Sequence, residues 1–126
     1  MQIEVSIGEV IDKLTILGIK IEKLDDKEKL ANVKKEWDYL NAQIPSNIKE
    51  DERFAEFVVK LLEVNKLLWD IEDGKRNHER TKNFDEDFVE LARQVYIKND
   101  IRAQIKREIN IHFNSNFVEE KSYKAY

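Results

Sequence analysis

Apolar residues recur along the chain at intervals of three and four, the spacing that keeps one stripe on a helix. The first run is Val10, Leu14, Leu17, Ile21 and Leu24. It follows Ser6-Ile7-Gly8-Glu9, an S-x-x-E match in which serine caps the helix and Glu9 reaches back. The pattern predicts a first helix over about 7–24. Asp25-Asp26 interrupts it, and Asp26 suits the cap of a second helix over about 27–43, with Leu30, Val33, Trp37, Leu40 and Ile44. The step from Leu24 to Leu30 fits neither three nor four nor seven residues. A hairpin is therefore preferred over one long helix. Pro45 ends the second helix, because its ring excludes continuation and pushes Ile44 out of the helical region.

Asn47 to Asp51 reads as loop. Phe57, Leu61, Val64, Leu68 and Ile71 then predict a third helix over about 52–73. Gly74 ends it with a left-handed residue, or the helix continues to about 79. Asp85, with Glu86 and Asp87 behind it, caps a fourth helix over about 86–113, marked by Phe88, Leu91, Val95, Ile105 and Ile109. The tail from Asn114 is less regular, and Phe117, Val118, Tyr123 and Tyr126 suggest that it lies back on the helices. These elements predict an all-α fold: an antiparallel helical bundle of four main helices with a C-terminal tail packed back on it. Residues 1–126 fit a single helical domain. Gly 3 and Pro 1 leave too few tight turns for a sandwich or barrel.

Charge and composition narrow the chemistry. Lys and Arg number 22 against 26 Asp and Glu, a net charge of −4, which gives no broad attraction to phosphate backbones. The local basic cluster of Lys75, Arg76, His78, Arg80 and Lys82 reads as a solvated loop, and nucleic-acid binding through it is the least favoured function. With no cysteine, disulfides, iron–sulfur clusters, thiolate zinc sites and cysteine nucleophiles are excluded. The start carries no basic n-region before an apolar stretch, and no apolar run approaches the ~18 residues of a membrane span. The expectation is a cytoplasmic protein with no membrane insertion. His78 and His112 have no partner at metal spacing, so neither a metal site nor a cofactor is expected. Phosphate-loop, dinucleotide and hydrolase-elbow motifs are missing from the sequence. The pairs Glu9/Asp12, Asp70/Asp73 and Asp87/Glu90 share a helix face and could hold Mg²⁺, as in helical nucleotide pyrophosphohydrolases, but 26 acids produce such pairs by chance. Val10-Ile11-Asp12-Lys13-Leu14 superficially resembles the opening helix of chorismate mutase, which needs an Arg that the first helix here lacks.

The informative positions are polar residues on the stripes. In the fourth helix, Asn99 and Arg102 fall where the stripe passes from Val95 to Ile105, so both should point toward the bundle. A buried guanidinium needs a carboxylate partner. Glu72 and Asp73 are the candidates, lying with Asn65 and Trp69 on a flank of the third helix. The candidate ligand site or buried ionic network is thus Trp69, Glu72, Asp73, Arg93, Asn99, Arg102 and Lys106. As a network it fixes helix register; as a pocket, Arg102 with Arg93 or Lys106 grips an anion. Gly18, in mid-helix, suggests close approach of another helix, with room for a ligand as the alternative.

Three stretches carry a resemblance: Glu4-Val5-Ser6-Ile7-Gly8-Glu9-Val10-Ile11-Asp12-Lys13-Leu14-Thr15-Ile16-Leu17, Leu68-Trp69-Asp70-Ile71-Glu72-Asp73, and Leu91-Ala92-Arg93 through Asn99-Asp100 to Lys106-Arg107-Glu108-Ile109-Asn110. With the ending Val118-Glu119-Glu120-Lys121-Ser122-Tyr123, the chain resembles an uncharacterised family of small helical bacterial and phage proteins, a domain of unknown function. The resemblance implies no activity, cofactor or catalytic residue. It implies an association with envelope-glycan assembly, since some members are encoded near such genes. If the tail crosses the third and fourth helices, Trp69, Glu72, Arg93, Asn99, Arg102 and Glu119–Tyr123 converge.

The reading that follows is a non-catalytic interaction or accessory protein, with a protein partner or a homo-oligomer. The alternative is a small binding module or Mg-dependent enzyme for an anionic small molecule such as a nucleotide or nucleotide sugar. There Arg93, Arg102 and Lys106 hold the anion, and Glu72 or Asp73 serves a metal or acts as base.

Overall fold

Four amides at the start of a helix lack intrahelical partners, and the first helix finds side-chain acceptors for three of them. In the computed structural model, which describes residues 1–126, α1 runs Ile7–Lys23. The Ile7 amide donates to Ser115 Oγ at 3.1 Å, Gly8 to Asn110 Oδ1 at 2.7 Å, and Glu9 to Ser6 Oγ at 3.2 Å. Val10 donates to the Ser6 carbonyl at 3.3 Å. Ser6 therefore caps as its sequence predicts, while the Glu9 carboxylate turns away to Lys106.

The chain breaks after α1 at Leu24–Asp26. Asp26 accepts the Lys29 amide at 3.0 Å and starts α2, Lys27–Gln43. The two helices are separate, as the phase jump predicts. Pro45 does end α2, but the segment after it is a further short helix, α3 (Ser46–Lys49), where loop was expected. That one turn buries Ile48 against the core beside Ile44.

The helix α4 runs Phe54–Thr81, passing through Gly74 instead of ending there. A Cβ on Gly74 would lie 3.0 Å from Leu91 Cδ1, so this glycine serves close helix packing and not termination. The left-handed residue is Lys82, at φ 53°. Its neighbour Asn83 donates to the His78 carbonyl at 3.0 Å, which closes the helix end. The basic residues 75–80 are thus helical and not a loop. Asp85 accepts the Phe88 amide at 3.1 Å and opens α5, Glu86–His112. That bond, first among several, holds the Asp85 carboxyl below its usual value. Asn114, at φ 52°, ends α5 in the same manner, with Ser115 donating to the Asn110 carbonyl at 2.8 Å.

The fold is all-helical, with five helices and no strand. The core is Ile11, Phe57, Leu61, Val64, Ile105 and Ile109, closed by Ile44 and Ile48. Phe57 is sealed, with Arg53 over its ring at 4.4 Å and Phe113 edge-on at 6.1 Å. The helices α4 and α5 run in opposite directions, Phe57 meeting His112 at one end and Gly74 facing Leu91 at the other. The helix α1 lies across this pair, while α2 packs on α1 and buries no residue completely. The core is therefore made by α1, α4 and α5, and α2 sits outside it.

Gly18 is not a close-approach residue: nothing lies within 4 Å of a Cβ built there. It borders a cavity of about 280 Å³ shared with Leu14, Trp37 and Val58. Gly18→Ala should therefore stabilise the chain by about 0.8–1.0 kcal/mol through helix propensity alone. Urea denaturation measures this, and a loss of stability would mean that a neighbour occupies the space.

Candidate functional site

Gly8, Asp12, Thr15 and Ile19 succeed one another on α1 at steps of four, three and four, and all are buried. This face meets α4 and α5, and it is mostly small or polar. Asp12 is 1% exposed, so its charge must be matched inside the protein. Arg102 of α5 supplies the match, with Nε at 2.9 Å from Asp12 Oδ1 and Nη2 at 2.5 Å from Oδ2. Asn65 of α4 completes it. Its Nδ2 donates to Asp12 Oδ1 and to Thr15 Oγ1, both at 2.9 Å. Thr15 Oγ1 in turn donates to the Asp12 carbonyl at 2.7 Å. Hydrogen bonding to Asp12 holds the Arg102 guanidinium above its usual value, against the opposing effect of burial. One charge pair and two hydrogen-bonded neighbours thus lock three helices in register.

One turn along α5, Lys106 forms a second cluster. Its Nζ lies 2.7 Å from Glu9 Oε2 and 3.1 Å from Glu119 Oε2. Burial disfavours its charge, but the hydrogen bonds it donates to the two carboxylates outweigh that and raise the ammonium above the ordinary lysine value. Glu119 belongs to the tail, which runs back along α5. Arg107 pairs with Glu120 at 2.9 Å, and the Tyr126 ring packs on Tyr96 at 5.2 Å.

Beside Arg102 a cleft of about 340 Å³ opens between α1, α4 and α5. Ile19 and Asn65 lie at its buried end, and Asp73 and Arg76 at its exposed end. Between them stand Ile16, Leu68 and Trp69, with Glu72.

The chain, over residues 1–126, matches the Family of unknown function (DUF6165). It belongs to that family. No curated protein and no solved structure matches it.

In this DUF6165 member, Trp69, Glu72, Asp73 and Arg102 meet at the cleft. Asn99 lies next to them, its Oδ1 accepting from Arg102 Nη1 at 3.4 Å. Lys106 stands in the neighbouring cluster. Arg93 is not brought in: it is exposed and paired with Glu90 at 2.6 Å. The carboxylate expected for Arg102 from Glu72 or Asp73 comes from Asp12 instead, and Glu72 pairs with Lys75 at 3.1 Å. The tail follows α5, so Glu119 reaches Lys106 and not Trp69. Sequence reasoning missed Asp12, Thr15, Asn65 and Glu9 as members of the network. The signal was the helical spacing of Gly8, Asp12, Thr15 and Ile19, which counting of apolar residues passes over.

Proposed function

We propose that the protein is a cytoplasmic, non-catalytic accessory protein, one domain over residues 1–126, that acts by association and first of all with a second copy of itself. The observation that carries this reading is the outer face of the α4–α5 hairpin. Leu67 and Ile101 stand 47% and 43% exposed there, beside a groove of about 640 Å³. α1 packs against the hairpin elsewhere, and on this side only Tyr126 of the tail reaches the groove. Apolar residues grouped in a groove with a polar rim are what an interface presents.

The rim charges suit self-association. Lys60, Glu63 and Glu108 line one end of the groove, and Lys98 and Asp100 the other. A two-fold axis through its middle sets Lys98 of one copy against Glu63 and Glu108 of the other, and Lys60 against Asp100. Leu67 and Ile101 then pack on their own counterparts. The association with envelope-glycan assembly genes implied by the sequence resemblance makes proteins of that assembly the first further partners to try. Sedimentation equilibrium should give a dimer that Leu67→Lys with Ile101→Lys converts to monomer while the helical circular-dichroism signal stays. A wild-type monomer at every concentration would refute the reading.

A further inference from the structure

We infer that the cleft between α1, α4 and α5 binds a small monocarboxylate with an apolar or aromatic body and a hydrogen-bond donor beside the carboxylate. The inference is independent of self-association, which uses another side of the hairpin.

Asn65 supplies the first observation. It is 5% exposed, and both protons of its Nδ2 are committed, one to Asp12 and one to Thr15. Those two bonds fix which way the amide faces. Its Oδ1 then receives no donor from the protein. Asn110 Nδ2 is the one sealed side-chain atom without a partner, so Asn65 Oδ1 opens to the cleft that Asn65 lines. A buried carbonyl with a fixed direction calls for a donor, and a ligand hydroxyl or amine provides one.

Arg102 supplies the second. A guanidinium has five N–H donors. Asp12 takes two and Asn99 one, which leaves one on each terminal nitrogen. Free N–H donors on these nitrogens suit a carboxylate oxygen. Because Arg102 and Asn65 both bond Asp12 Oδ1, these free donors and the free Asn65 oxygen belong to one small region. Arg76, at the mouth, forms no ion pair and adds a second cation.

The acids set the charge of the ligand. Glu72 and Asp73 stand at the same cleft and repel a polyphosphate; Arg102 is already matched in charge by Asp12, so a single negative charge is met by Arg76 and by the free N–H donors of Arg102. Trp69, Leu68, Ile16 and Ile19 offer an apolar wall for the rest of the molecule. The volume lies near the lower end of small-molecule pockets, which run from about 300 Å³.

The test uses the full chain carrying Trp37→Phe, so that Trp69 is the only indole. Its fluorescence is followed during titration with 3-phenyllactate, with 3-phenylpropanoate lacking the hydroxyl, and with 3-phenyl-1,2-propanediol lacking the carboxylate. Saturable binding of 3-phenyllactate is expected. Loss of the hydroxyl should weaken it about fivefold. Loss of the carboxylate, or Arg76→Gln on the exposed rim, should weaken it about tenfold or more. The inference is overturned if 3-phenyllactate does not saturate, if the diol or the propanoate binds equally well, or if Arg76→Gln leaves the affinity unchanged.

Discussion

Asp12→Ala is expected to lower the unfolding free energy by about 3–5 kcal/mol, the cost of stranding one partner of a buried ion pair. The carboxylate is almost completely sealed and holds the guanidinium of Arg102 at two points. Its removal leaves Arg102, 28% exposed at the side chain, without a counter-charge. It also strips one of the two acceptors from Asn65 Nδ2. Two desolvated groups on two helices thus lose their partner through one substitution. Urea denaturation followed by circular dichroism reads the loss. The companion variant Asp12→Leu with Arg102→Met removes both charges together and should recover most of the stability, since apolar replacement of a buried pair is often neutral. A loss below about 1 kcal/mol in Asp12→Ala would mean that water reaches the pair and screens it.

The helices were legible because each carries its own signal. Asp26 and Asp85 cap where the sequence places them, and Pro45 ends α2. On α4, Phe57, Leu61, Val64 and Ile71 are buried as their stripe requires. The stripe reading was incomplete on α1 for a physical reason. It assumes one buried face, and α1 has two, since it touches α2 on one side and α4 with α5 on the other. Of the predicted stripe, Leu17 is 2% exposed, while Val10, Leu14 and Ile21 are half-buried, Val10 and Leu14 at the edge of the core. Gly8, Asp12, Thr15 and Ile19 mark the second, more deeply buried, where hydrogen bonds take the place of oil. Hence Arg102 was placed correctly toward its neighbours while its partner was sought on the wrong helix. No local pattern announces which of 26 acids meets a given arginine, because that pairing depends on how three helices are laid together. Gly74 left two helix ends open for a related reason: its role is set by Leu91 on another helix, not by its own neighbours in sequence.

The same interhelical geometry predicts the second large effect, at Gly8. A Cβ there would lie 2.7 Å from the Lys106 carbonyl oxygen, 2.9 Å from Asn110 Oδ1 and 3.2 Å from Lys106 Cα. Two of these atoms are backbone of α5, so no side-chain rotation relieves the contact. The helix α1 must move outward. Gly8→Val is therefore expected to cost about 3 kcal/mol, at the upper end of overpacking in a well-packed region. The displacement also lengthens the 2.7 Å bond from the Gly8 amide to Asn110, whose Nδ2 is already without a partner. Asp12 lies one turn beyond Gly8 on the same face, so the shift should loosen its hold on Arg102 as well. A double-mutant cycle between Asp12 and Arg102, run in the Gly8→Val background, tests that link. The coupling energy should fall below its value in the wild-type background. Full stability in Gly8→Val, or an unchanged coupling, would mean that α1 and α5 are not in backbone contact at this point.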